Sequence, residues 1–233
     1  MRTSSVEFPR RIGGEEWTAG QVIEALRPFI TAERMKKMEN VVAQRTFSIL
    51  PVVEGLYDLG NVNAVLRSAE ALGYQNIHVV QSGERFKVAN RISQGTDHWL
   101  DVRKWSTTAE CVSSLRERGY QLAVTHLSAQ AIAIDEVDFS RPTAVVFGNE
   151  KEGVSREMVA AADVQFLIPM SGFAQSFNIS VAAAITLYHI AQDRKRRLGR
   201  HGDLSAEQQH ELLANFCLRN VARAEELLAR HRA

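Results

Sequence analysis

Residues 168–189 read IPMSGFAQSFNISVAAAITLYH. The stretch begins as the end of an apolar strand, Val164 to Ile168, which stops at Pro169. A loop of small and polar residues follows, Ser171-Gly172-Phe173-Ala174-Gln175-Ser176. Asn178 and Ser180 suit a helix start, because their side chains can accept from free backbone N–H groups. The small residues Val181-Ala182-Ala183-Ala184 let the helix lie close against other backbone. A loop between a strand end and a helix N-terminus is where open α/β proteins hold ligands. It is equally the form of an ordinary βα connection, so the rest of the chain decides.

Upstream, strands and helices alternate. Thr143 to Phe147 is a buried strand ending in Gly148-Asn149-Glu150-Lys151-Glu152-Gly153, and Ser155 caps a helix running to about Ala162. Gln121 to Thr125 is a strand ending in His126-Leu127-Ser128. Thr107 to Arg118 is a helix stopped by Gly119, preceded by a brief strand at Leu100-Asp101-Val102 and a short helix from Lys87 to Gln94. Ile77 to Val80 is a strand. Before it, Asn61 or Asn63 caps a helix with Val62, Val65, Leu66, Ala69 and Leu72 at helical spacing, closed by Gly73. Pro51 breaks the apolar run Phe47 to Glu54, so that strand is expected to start near Val52. The alternation predicts an α/β fold, a mainly parallel sheet with helices on both faces.

The ends read differently. Met1 to about Gly20 lacks periodicity and reads as an irregular tail. Short helices are expected over Gln21–Ile30 and from Thr31 to about Gln44. After Gly199 and Gly202, the Ser205-x-x-Gln208 capping box opens one helix reaching Arg232, whose apolar stripe needs a partner surface on this domain or a second subunit. The organisation expected is residues 1–46 as a tail and helical extension, 47–200 as the sheet domain and 201–233 as a C-terminal helix.

The chain has 233 residues, of which 45% are hydrophobic, enough for a sizeable core. Cys111 and Cys217 lack metal-type spacing and read as reduced thiols of a cytoplasmic protein. No apolar run reaches the length of a membrane span, and no signal core opens the chain. The net charge of +1 hides clusters: Arg194-Lys195-Arg196-Arg197, and Arg34, Lys36, Lys37 and Arg45. Such clusters bind phosphate backbones; basic residues at a helix end also complement its dipole.

Several chemistries are excluded. No G-x-G-x-x-G follows a strand, and Val154 stands where a P-loop after Gly148–Gly153 needs lysine. There is no G-x-S-x-G elbow and no H-E-x-x-H, and the histidines do not cluster at metal-ligand spacing. Three polar loops at strand ends remain, around Asn61, Glu150 and Ser176.

Three motifs in this order, Asn61-Val62-Asn63-Ala64-Val65-Leu66-Arg67-Ser68-Ala69, Val146 to Ser155, and Ile168-Pro169-Met170 through Gln175-Ser176-Phe177-Asn178-Ile179-Ser180-Val181-Ala182, resemble the SPOUT methyltransferases, in the TrmH (SpoU) branch of RNA ribose 2′-O-methyltransferases. The resemblance covers roughly residues 31 to 200. It implies a deep trefoil knot near the C-terminus, which composition and periodicity would not suggest because knots are rare. It also implies S-adenosyl-methionine as cofactor, a homodimer whose active site is completed across the interface, and tRNA as substrate at the D-loop guanosine. Thr125, Gly148, Ile168, Met170 and Phe177 would line the cofactor pocket, though Gly148 is also a turn glycine and the others also core residues.

By the same resemblance Arg67 acts at the ribose hydroxyl, with Asn61, Glu150, Ser176 and Asn178 as the other catalytic polar positions. Asn61 and Asn178 equally suit helix caps, and Arg67 a packed surface arginine. Arginine resists deprotonation, so a cation stabilising the developing alkoxide fits Arg67 better than a free base. Methyl transfer from a sulfonium needs no metal. Arg34, Arg45, Arg194, Arg196 and Arg197 would bind the tRNA backbone. Ribosomal RNA is the alternative substrate, but relatives acting on it usually carry an added RNA-binding domain, and residues 1–30 are too few for one. A non-catalytic RNA-binding relative and a small-molecule enzyme on an ordinary nucleotide-binding sheet are the other readings. The intact polar positions argue against the first, and the missing glycine fingerprint against the second.

Overall fold

A computed structural model describes residues 7–55, 58–81, 97–149 and 152–231. The expected helix Lys87–Gln94 lies outside the described residues. The chain divides into two compact units, Met1–Arg45 with Gly202–Ala233, and Thr46–His201. The two ends of the chain thus fold together.

In the first unit, residues 10–17 of the expected irregular tail form a hairpin instead. β1 (Arg10–Ile12) pairs antiparallel with β2 (Glu15–Trp17). Gly13 and Gly14 join them with φ of 60° and 91°, the double positive φ of a two-residue turn whose twist suits a hairpin. Ile12 and Trp17 are buried. Thr18 and Gln21 form a capping box at the start of α1 (Ala19–Leu26), and Thr31 caps α2 (Ala32–Ala43). Ser205 and Gln208 form the expected box opening α7 (Ala206–Asn220). The single tail helix is two, because Arg223 adopts φ 55° before α8 (Ala224–His231) begins.

The second unit holds a seven-stranded sheet: β3 (Ile49–Glu54), β4 (Asn76–Val80), β5 (Asp101–Trp105), β6 (Gln121–Thr125), β7 (Ile132–Ala133), β8 (Thr143–Phe147) and β9 (Val164–Leu167). The order is β5-β4-β3-β8-β6-β9-β7, and every neighbouring pair is parallel. β3 extends through Pro51 to Ile49, contrary to expectation. The ladder with β4 starts only at Val52, so one side of the strand has no partner at the proline.

Side chains alternate across the sheet, and both faces are apolar. Ile49, Val53, Ala123, Val145 and Phe147 pack with Val62, Val65, Leu66 and Ala69 of α3 (Leu59–Ala71) and Ala183, Leu187 and Ile190 of α6 (Ile179–Leu198). Leu50, Val52, Leu122, Val124, Ala144 and Val146 pack with Cys111 and Leu115 of α4 (Thr108–Glu117) and Met158 of α5 (Arg156–Ala160). Helices therefore cover both faces. Asp58, not Asn61 or Asn63, caps α3, accepting from the Gly60 N–H. Gly73, at φ 90°, follows that helix in the left-handed conformation expected of it. Among the described residues no helix is long and apolar enough to cross a membrane.

Candidate active site

Because the strands are parallel, the loops after β6, β8 and β9 leave the same edge of the sheet. They enclose a cleft of about 430 Å³, within the range of small-ligand sites. Thr125, Gly148, Ile168, Met170 and Phe177 all line it, as do Ser176, Asn149, Glu152 and Ala182 of α6. The Thr125 hydroxyl donates to the Val146 carbonyl at 3.0 Å, tying β6 to β8 beside the cleft. A larger groove of about 680 Å³ in the other unit is lined by Arg10, Arg219, Arg223, Glu225 and Glu226. Two of its arginines face carboxylates, with Arg10 3.6 Å from Glu225 and Arg223 3.9 Å from Glu226.

The loop after β8 closes on itself. The Asn149 N–H donates to the Gly153 carbonyl at 2.9 Å and the Gly153 N–H to the Asn149 carbonyl at 2.8 Å. A Cβ on Gly148 would lie 2.2 Å from the Gly153 carbonyl carbon and 2.3 Å from the Val154 nitrogen. Only glycine fits there, for steric rather than dihedral reasons. Glu150 lies outside the described residues.

Asn178 serves two purposes at once. Its Oδ1 accepts from the Ser180 N–H at 2.9 Å, capping α6. Its Nδ2 donates to Asn61 Oδ1 at 3.2 Å, joining the first turns of α6 and α3. Arg67 sits on α3 six residues beyond Asn61, about 9 Å along the axis. It is exposed and is not among the residues lining the cleft.

The basic residues separate into two groups. Arg45 and Arg194 are 1% and 2% exposed, which corrects their assignment to RNA contact. Arg45 lies 5.9 Å from the Phe216 ring centroid, and Arg194 donates to the Phe139 carbonyl at 3.0 Å. Neither head can reach a phosphate backbone while so enclosed. Arg196 and Arg197 keep exposed side chains and both pair with Asp193. Burial pushes the Asp193 carboxyl up, but hydrogen bonds from Arg197 and Arg196 more than offset this and hold it below the ordinary carboxylate value. Arg34 is half-buried and donates to Asn220 at 2.9 Å.

Sequence reasoning passed over Glu54, Asn149 and Gln175. Gln175 lines the cleft. Glu54 is a lone acid at the end of an otherwise apolar strand, a signal that was available.

These features define an α/β protein with a ligand cleft built from three loops at the carboxyl edge of a parallel sheet. Residues 48–188 match the SpoU rRNA Methylase family, and the chain belongs to that family. It is 35% identical over 187 residues to the tRNA (guanosine(18)-2'-O)-methyltransferase of Thermus thermophilus, covering 80% of this chain and 96% of that relative. Among solved structures, the A. aeolicus TrmH/SpoU tRNA modifying enzyme superposes with a TM-score of 0.72 at 30% identity, covering 82% of this chain and 98% of the other. The SpoU methyltransferase AviRb from Streptomyces viridochromogenes, in complex with AdoMet, gives a TM-score of 0.54 at 26% identity over 65% of this chain and 58% of that one.

Proposed function

We propose that this protein methylates the ribose 2′-oxygen of guanosine 18 in tRNA, using S-adenosyl-methionine. The observation that carries the reading is the convergence of Thr125, Gly148, Ile168, Met170 and Phe177 on one cleft. The substrate follows from relatives named for this reaction that match most of the chain.

The cleft fits the cofactor. Gly148 lets the Gly153–Val154 backbone pack directly against it, where any side chain would collide, and so shapes one polar wall of the cleft, while Ile168, Met170 and Phe177 offer apolar surface. Bound there, S-adenosyl-methionine supplies an electrophilic methyl group on a positively charged sulfur. Ser176 and Asn178 hold the ribose, and the bridge from Asn178 to Asn61 keeps the starts of α6 and α3 in register. Arg67 clamps the neighbouring phosphate and stabilises negative charge on the 2′-oxygen as its proton passes to solvent water. Holding hydroxyl and methyl in line supplies much of the rate.

Arg67 lies off the cleft of its own chain, so the active site is completed by a second copy. Val181, Ile185 and Tyr188, spaced as one face of α6, are 45%, 37% and 57% exposed. That face, with Phe177 at its start, is the surface for a homodimer. Arg34, Arg196 and Arg197 contact the tRNA backbone, and acting on tRNA places the protein in the cytoplasm. The trefoil knot is supported by β9 lying between β6 and β7, two strands joined by the short loop through Ser128.

The test is incubation with labelled S-adenosyl-methionine and unmodified tRNA or ribosomal RNA, followed by mapping of the methylated ribose. Label at the 2′-oxygen of guanosine 18 is the expected result. Transfer to ribosomal RNA alone, or to neither, rejects the reading.

A further inference from the structure

The loop Gly148–Ser155 is held from both ends by two consecutive residues at the exit of β3. Glu54 is 6% exposed and its carboxylate accepts three hydrogen bonds. Oε2 takes the Ser155 N–H at 2.8 Å. Oε1 takes the Ser155 hydroxyl at 2.8 Å and the Thr108 hydroxyl at 2.6 Å. The next residue, Gly55, accepts from Asn149 Nδ2 at 2.9 Å, and Asn149 Oδ1 takes the Glu152 N–H at 3.3 Å. Asn149 lines the cleft; Glu54 and Ser155 do not. A buried carboxylate with three donors is more than the capping of a five-residue helix such as α5 requires. Its consequence is to fix the far end of the loop whose near end carries Gly148.

We infer that Glu54 is a positioning residue for cofactor binding: through Ser155 it holds Gly153 and Val154 against Gly148, so that this wall of the pocket exists before the ligand arrives. The inference rests on the reading of the cleft as the S-adenosyl-methionine pocket. It assigns Glu54 an effect on affinity, with little on the transfer step once both substrates are bound. A loop that must be ordered by its ligand binds more weakly by the cost of that ordering. The β3 exit also leads within a few residues to Asp58, the cap of α3, so the same short segment anchors the cofactor loop and begins the element that carries Asn61 and Arg67.

The test uses the full chain and S-adenosyl-homocysteine as probe. Glu54→Gln keeps one acceptor oxygen, for the Ser155 N–H or for the two hydroxyls but not for all three donors, and removes the charge. Charge-assisted bonds are lost, so binding measured by calorimetry should weaken about tenfold. The KM for S-adenosyl-methionine should rise by the same factor while kcat stays within about twofold. Ser155→Ala keeps the backbone bond and should give a smaller change in the same direction; it also serves if Glu54→Gln does not fold. Thr108→Val removes the bond from α4 and should lower Tm without weakening binding. Unchanged binding in both Glu54→Gln and Ser155→Ala, or a fall in kcat with KM unchanged, overturns the inference. So does weakening by Thr108→Val equal to that by Glu54→Gln, which would make the effect one of general stability. If the wild-type chain does not bind S-adenosyl-homocysteine, the pocket reading fails first and takes this inference with it.

Discussion

Gly148→Ala is the sharpest perturbation of the cleft. The added carbon would sit 2.2 Å from the Gly153 carbonyl carbon, 2.3 Å from the Val154 nitrogen and 2.4 Å from the Gly153 oxygen. All three are backbone atoms, so no side-chain rotation relieves the overlap. Ordinary carbon contact is ~3.5–4.0 Å, so the Gly153–Val154 segment must retreat by more than about 1 Å. That breaks the paired Asn149–Gly153 hydrogen bonds of 2.9 and 2.8 Å, each worth about 1 kcal/mol. A loss of about 2 kcal/mol in the closed loop corresponds to roughly a 30-fold weaker ligand. The assay is calorimetric titration with S-adenosyl-homocysteine. Gly172→Ala is the control, because a Cβ there meets nothing within 4 Å, and it should bind as the wild type does. If Gly148→Ala binds within about threefold of the wild type, the loop does not form the pocket wall and the argument from Gly148 is wrong.

Arg67→Ala should cut methyl transfer by about a hundredfold or more while S-adenosyl-homocysteine binding survives; loss of both in a titration would assign Arg67 a structural role. Ile185→Glu with Tyr188→Glu should give a monomer by sedimentation, with transfer lost, and a dimer that persists would move the interface off this face of α6. Arg196→Ala and Arg197→Ala should each weaken tRNA binding and lower its salt slope by about one ion, whereas Arg194→Met should act on Tm; filter binding across a salt series separates them. Burial, aided by the charges of Arg118 and Arg103, pushes the His78 imidazole down to about 3. Folding therefore keeps it neutral, and its contribution to stability is present above its unfolded pKa of about 6.5 and lost as pH falls toward 3. Urea titrations of His78→Gln should show a shallower loss of stability across that window, and an unchanged slope would assign the acid limb to other groups.

The sheet was legible because its strands are buried on both sides, so β6 and β8 are unbroken apolar runs between clear stops such as Gly119 and Gly148. Capping at Ser155, Asn178 and Ser205 was legible for the same local reason: a side-chain oxygen three or fewer residues from an orphan N–H. The misreadings came where long-range structure overrides a local rule. Pro51 is tolerated because the ladder to β4 takes up only at Val52, which depends on how a strand distant in sequence runs beside it. The hairpin Arg10–Trp17 has only three residues on each arm, too short for alternation to register, and its Gly13-Gly14 turn was the one available sign. The break at Arg223 has no glycine or proline to announce it.

Two of the three loops expected from the sequence, those after β8 and β9, meet at one cleft because a parallel sheet delivers them to one edge wherever they lie in sequence; the loop around Asn61 is not among the described residues lining it, and the turn after β6 forms the third wall instead. Their residue types alone did not distinguish a wall from an anchor. Glu54 could be noticed in the sequence as a lone acid, but not its role, since its partners Ser155 and Thr108 are 101 and 54 residues away. Arg45 and Arg194 were misassigned because a basic cluster looks the same whether its members point outward or into the protein, and burial divides Arg194 from Arg196 only two positions later. The same reasoning bears on Arg67. Arg67 is exposed on α3 and is not among the residues that line the cleft, which is why the proposed function gives it the cleft of a second copy. Beside the first turn that Asn178 ties to Asn61, α6 presents the apolar face proposed as the surface for that copy. Under that proposal the exposure of Arg67 and the exposure of Val181, Ile185 and Tyr188 have one explanation, and the Ile185→Glu with Tyr188→Glu variant tests both together.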